Sequence, residues 1–239
     1  ERADSYSCMT AFFTSHSLRL LAPGLAKHIV HGVNPVRLLV SPTLTESDKE
    51  MISAANEEGP EAIRHKLEDL VGARFNELLE SPEVLESALA KHTLQCLGYL
   101  MGQDRLQIKV VLVHGGIFHP KVWIFADGDD LLVGSGSINH TGRALESNVE
   151  HIRVERSWLG GTEADAAQTL LEQFEAYWAG TQSHADTIEA PEAITRGLVS
   201  NYQSGAPPTD TDYSNAVTQD QDGGVAETPS APGYFIPSY

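Results

Sequence analysis

The chain has 239 residues, 41% hydrophobic and 21% charged, and its 33 acidic against 16 basic residues give a net charge of −17. That composition belongs to a globular protein and excludes a wholly disordered or fibrous one. The most apolar stretches, Gln107–His114 and Lys121–Ala126, end far short of the roughly 18 residues that would cross a bilayer, which excludes an integral membrane protein.

Ser5–Phe13 is a β-prone run, and Ser15 and Ser17 suit the start of a helix that carries Leu18, Leu20, Leu21, Leu25 and Ile29 to a stop at Gly32. The unit then repeats. Val36–Val40 is a short apolar strand closed by Ser41-Pro42, and Thr45-Glu46-Ser47-Asp48 caps a helix to about Asn56. Two helices are predicted over Glu61–Leu79 and Ser81–Met101, then strands over Leu106–Val113, Lys121–Ala126, Leu131–Gly134 and Val149–Val154. A last amphipathic helix, Glu163–Ala179, presents Leu170, Leu171, Phe174 and Trp178. The alternation predicts an α/β domain over residues 1–180, a mixed β-sheet with helices on both faces.

Residues 181–232 are acidic and rich in Pro, Gly, Ser and Thr, which predicts a linker. Residues 233–239 turn apolar and aromatic, as at the start of a following domain, and the opening Glu1-Arg2-Ala3-Asp4 reads as a cut boundary. With −7 on residues 181–239, the remaining −10 lies on 1–180, so long-range electrostatics do not draw nucleic acid to the surface as a whole. Any phosphate site has to be local. Cys8 and Cys96, 88 positions apart in apolar surroundings, fit reduced core thiols of a cytoplasmic protein.

The chemistry concentrates between Ile117 and Glu150. In Phe118-His119-Pro120-Lys121, residues two apart on a strand point the same way, so a potential nucleophile and a cation share one face. Asp127-Gly128-Asp129-Asp130 sits where a hairpin turn belongs and has too few spaced oxygens for a calcium loop. The next strand ends in Gly134-Ser135-Gly136-Ser137-Ile138-Asn139, where backbone amides and the Ser137 and Asn139 side chains can approach an oxyanion. Glu150, eleven residues beyond Asn139, is placed to accept the second ring N–H of His119. His114, His140 and His151 flank the motif as loop or hydrogen-bonding residues, and Trp123, Trp158 and Trp178 suit core or interface packing.

His-x-Lys, then Gly136-Ser137-Ile138-Asn139, then an acidic residue 13 positions after the Ser resembles the motif of the phospholipase D superfamily, in particular its nuclease-like members. The likeness extends to Ala11-Phe-Phe-Thr-Ser-His-Ser17 and Arg37-Leu-Leu-Val-Ser-Pro42, and so spans about residues 5–180. One position departs from it: where the family places an Asp a few residues after the Lys, this chain has Ala126, with Asp127 one place later.

The resemblance implies a phospholipase D-like fold and a metal-independent phosphodiesterase, a hydrolase with no cofactor that cuts DNA through a phosphohistidine intermediate. Catalysis would fall to His119, Lys121, Asn139, Ser137 and Glu150, with no metal ligands. A second histidine must protonate the leaving oxygen, and the chain has a single His-x-Lys, so the resemblance implies a homodimer that shares one active site. Ile117, Phe118 and Ile138 are then expected at the dimer interface. A helicase domain following the chain, a role in antiviral defence and a cytoplasmic location complete the expectation. The alternative is a non-catalytic phosphate- or DNA-binding or dimerisation module of a larger helicase.

Overall fold

The computed structural model describes residues 3–10, 24–41, 60–113, 118–136, 151–190, 192–202 and 205–222. In chain order these form β1 (Ser5–Thr10), α1 (24–31), β2 (Val36–Val40), α2 (Pro60–Leu79), α3 (Pro82–Glu86), α4 (Ala88–Gly102), β3 (Leu106–Val113), β4 (Lys121–Asp127), β5 (Asp130–Gly136) and β6 (Ile152–Arg156). A 3-10 turn (Ser157–Leu159), α5 (Gly161–Trp178), β7 (Ala185–Glu189), α6 (Glu192–Tyr202) and α7 (Asp210–Asp222) follow.

Seven strands make one mixed sheet in the order β6-β5-β4-β1-β2-β3-β7. β1, β2 and β3 run parallel, while β4, β5 and β6 form an antiparallel meander on the far side of β1 and β7 adds antiparallel to β3. Strand periodicity sends successive side chains to opposite faces. Cys8, Leu38 and Val110 thus enter one core with Val71, Leu94, Leu97, Leu100 and Leu198 of the helices, whereas Met9, Leu39 and Val111 enter a second with Phe174 and Ala167 of α5. The sheet is therefore covered on both faces, as the α/β pattern predicts. On the second face Arg37 reaches from β2 to donate to both carboxylate oxygens of Glu175, at 3.0 and 2.7 Å, while stacking over Phe174 and Trp178.

Both cysteines are buried and neither forms a disulfide, and burial pushes each thiol up to about 12. The β4–β5 connection is the expected hairpin turn: Asp127 pairs with Asp130, and Gly128 takes the first central position at φ +59°, a conformation a residue with a β-carbon resists.

Four expectations change. The helix expected over Ser81–Met101 is two helices, because Ser87 adopts an extended conformation and caps α4, its hydroxyl accepting from Ala90 N–H at 3.1 Å. The strand expected over Val149–Val154 runs instead from Ile152 to Arg156. The strand expected to stop at Gly134 continues to Gly136, paired with Ile152.

The largest change is in the segment read as a linker. Residues 185–222 supply β7, α6 and α7; β7 extends the sheet, Ile194 and Leu198 of α6 enter the first core, and Asp220 of α7 is buried against the start of α4. Its polar composition is that of a covering layer with few but well-placed apolar residues. Residues 223–239, the helix expected over Thr45–Asn56 and the first part of the helix expected from Ser15 lie outside the described residues.

Candidate functional site

Strand direction brings the motif to one edge of the sheet. Parallel β1, β2 and β3 end there at Thr10, Val40 and Val113; antiparallel β4 starts there at Lys121, paired with Thr10; β5 ends there at Gly136 and β6 starts at Ile152. The chain runs from β1 outward to β2 and β3, then crosses back to place β4 on the other side of β1. The β1/β4 boundary is thus a topological switch point, and the carboxyl edge of such a sheet is where α/β proteins form ligand crevices.

His119 stands just ahead of β4. Phe118 before it is buried, edge-on to Tyr177 of α5 with ring centroids 5.1 Å apart, and this anchor leaves the next side chain, His119, exposed. Phe118 is consequently part of the core and not of an exposed interface, contrary to expectation; Ile117 and Ile138 lie outside the described residues. Lys121 is only 6% exposed although it carries an ammonium, so its charge needs partners close at hand. Its Nζ donates to the carbonyl of His119 at 3.0 Å and lies 2.5 Å from Nδ1 and 3.1 Å from Nε2 of the same ring.

Lying within 3.1 Å of both ring nitrogens, the ammonium stands against the ring and not along one lone pair, so the contact itself assigns no tautomer. Desolvation, and secondly the Lys121 charge, hold His119 below the ordinary histidine range. The neutral form of the ring is accordingly favoured, with a cation beside it.

The structure brings together His119 and Lys121; Ser137, Asn139 and Glu150 lie outside the described residues. Gly136 has a role the sequence did not reveal. A β-carbon there would stand 2.0 Å from the carbonyl oxygen of His151, so glycine is what lets β6 close on the end of β5. His151 itself is exposed at the start of β6. Thr10, buried and opposite Lys121 in the register, was also missed, and its only sequence signal is its place at the end of an apolar strand.

The departure at Ala126 falls away from the chemistry. Five residues along β4 at about 3.3 Å each place it roughly 17 Å from Lys121, at the opposite edge of the sheet. There its carbonyl accepts from the backbone N–H of Asp4. No protein-family model and no curated protein sequence matches the chain.

Proposed function

We propose that the chain is a metal-independent phosphodiesterase acting on DNA, a nuclease that uses His119 as its nucleophile. The observation that carries this reading is the buried Lys121 ammonium against the His119 imidazole at the switch-point edge of the sheet. A ring nitrogen of His119 attacks phosphorus, the phosphorus–oxygen bond to the leaving strand breaks, and the charge that builds on the equatorial oxygens falls to Lys121, with Ser137 and Asn139 as the further donors of the motif. Water then cleaves the nitrogen–phosphorus bond and restores the imidazole.

The leaving oxygen requires a proton that the attacking imidazole cannot supply, so a second copy of the chain contributes its own His119 as acid. Glu150 orients the ring. DNA delivered by a neighbouring helicase domain suits the acidic surface, which gives this domain little long-range attraction for a polyanion.

The test is cleavage of single- and double-stranded DNA in EDTA, with the His119→Ala variant alongside. Activity that persists in chelator and disappears in the variant is expected, because imidazole and ammonium do the chemistry. Complete loss in EDTA with recovery in magnesium would overturn the mechanism.

A further inference from the structure

Over β4, β5 and β6 the two faces of the sheet differ. Val122, Ile124, Leu131 and Val133 point into the second core with Phe174 and Ala167 of α5. The residues that alternate with them form a continuous row across the strands: Tyr6 pairs with Phe125, Phe125 with Leu132, Trp123 with Gly134 and Gly134 with Val154. Tyr6 and Trp123 pack at the margin of the first core, whereas Phe125, Leu132, Ile152 and Val154 join no core of the described residues. Phe125, Ile152 and Val154 are 38%, 42% and 47% exposed. Tyr6 and Phe125 stack with ring centroids 5.0 Å apart, and a β-carbon at Gly134 would come within 3.2 Å of the Trp123 ring, so the glycine lets that ring lie close to the sheet. The result is a flat aromatic and aliphatic face, the kind of surface that marks an interaction site.

Three observations select its occupant. Lys121 shares this face with Trp123, two residues along β4, and its ammonium lies against the His119 ring, so whatever covers the face ends at the candidate site. That site holds one nucleophile and lacks an acid. Secondly, in a chain of net charge −17 the positions of β4, β5 and β6 on this face, from Lys121 to Phe125, Leu132 to Gly136 and Ile152 to Arg156, carry no carboxylate. Two copies of an acidic chain meet there with little repulsion. Thirdly, DNA laid along the face would need a row of cations, and these positions offer Lys121 at the site itself and Arg156, which is bound to both carboxylate oxygens of Glu163.

We propose that a second copy of the chain packs this face against its own counterpart about a two-fold axis that runs along the strands. The proposal rests on the shared-site reading above. An axis in that direction keeps both carboxyl edges at the same end, with the two His119 residues on either side of it. Sheets packed face to face stand about 10 Å apart, close enough for both imidazoles to reach one phosphate bound at the end of the gap.

Sedimentation of the full chain reads the interface and DNA cleavage in EDTA reads the chemistry, so the two can fail separately. A dimer is expected. Val154→Arg and Phe125→Arg each bury an unpaired charge twice in such an interface and are expected to raise the dimer dissociation constant by about a hundredfold or more, with loss of cleavage at concentrations where the parent is dimeric. Because both residues are exposed, circular dichroism should show the parental fold in each. Leu85→Arg, on an exposed leucine of α3, is expected to change neither assembly nor cleavage. The proposal is overturned if the parent sediments as a monomer, or if either folded variant dimerises as tightly as the parent; retained cleavage in such a variant would leave the shared site standing on another surface. A dimer that both variants dissolve, in a chain that never cleaves DNA, would support the face and remove the nuclease.

Discussion

His119 is neutral for two reasons of unequal size: loss of hydration first, the Lys121 ammonium second. Lys121→Met removes the second while keeping an aliphatic chain in the buried position, so the His119 pKa, followed by NMR, is expected to rise toward the free value without reaching it. An unchanged or lower value would show that Lys121 does not bias the ring. The sign carries over to stability. A histidine whose folded pKa is depressed is neutral in both states at high pH and contributes nothing there; as pH falls below the unfolded value near 6.5, the unfolded chain takes the proton first and stability declines. The Lys121→Met variant should therefore lose less stability over that acid window. Under the proposed chemistry the same variant loses about 10²–10³ in rate, because the lost cation faces charge that develops in the transition state. A near-parental rate would remove Lys121 from the mechanism. Gly136 gives a purely structural test at the same edge. Gly136→Ala forces a β-carbon onto the His151 carbonyl and is expected to cost about 1–3 kcal/mol, read as a lower thermal midpoint.

The elements legible in the sequence are those whose pattern is local. Val36–Val40 and Leu106–Val113 are dense in β-branched and aliphatic residues, and both are central strands. The Asp127–Asp130 hairpin announces itself through one glycine at the position that needs positive φ. The break at Ser87 was not legible because its reason lies 133 residues away: Asp220 accepts from the Ser87 hydroxyl and from the first amides of α4, meeting the partial positive charge of a helix start with a carboxylate. Without that partner a serine inside a helical pattern looks like an exposed helix residue. The same distance hid β7 and α6, whose few apolar residues are diluted by Asp, Thr and Ser and gain meaning only against β3 and the first core. Asp220→Ala is thus expected to destabilise the fold by about 1–3 kcal/mol, since it leaves buried donors without an acceptor. Leu198→Ala should cost about 2–5 kcal/mol, as for any fully buried leucine. Chemical denaturation reads both, and two near-neutral results would return residues 185–222 to the status of a dispensable tail.

At the scale of the whole molecule the candidate site is legible as a pair, His119 and Lys121, and incomplete as a reaction. The fold places that pair at one edge of a single sheet, and the topology has one switch point, so one chain provides one nucleophile where the proposed two-step reaction needs a nucleophile and a separate acid. Of the other described histidines, His92 lies against Cys96 on α4, His28 faces Asn34 beyond α1 and His184 pairs with Tyr177 near β7, whereas His151 is exposed at the start of β6 on the same edge as His119. The proposed chemistry takes its acid from a second copy whose carboxyl edge meets the first across a two-fold axis, and the alternative donor within one chain is His151. Phe118 cannot help, being spent on the core, and among the described residues the exposed apolar ones next to that edge are Ile152 and Val154 of β6. The consequence is measurable without a structure of the assembly. When His119→Ala chains are mixed with parental chains and allowed to exchange, mixed dimers hold one imidazole and lack either the nucleophile or the acid. Activity then follows the square of the parental fraction, so an equal mixture retains about one quarter of the activity of the same total of parental chains. Activity in direct proportion to parental chain, together with a monomer in sedimentation, would place a complete site within one subunit and rule out the shared one.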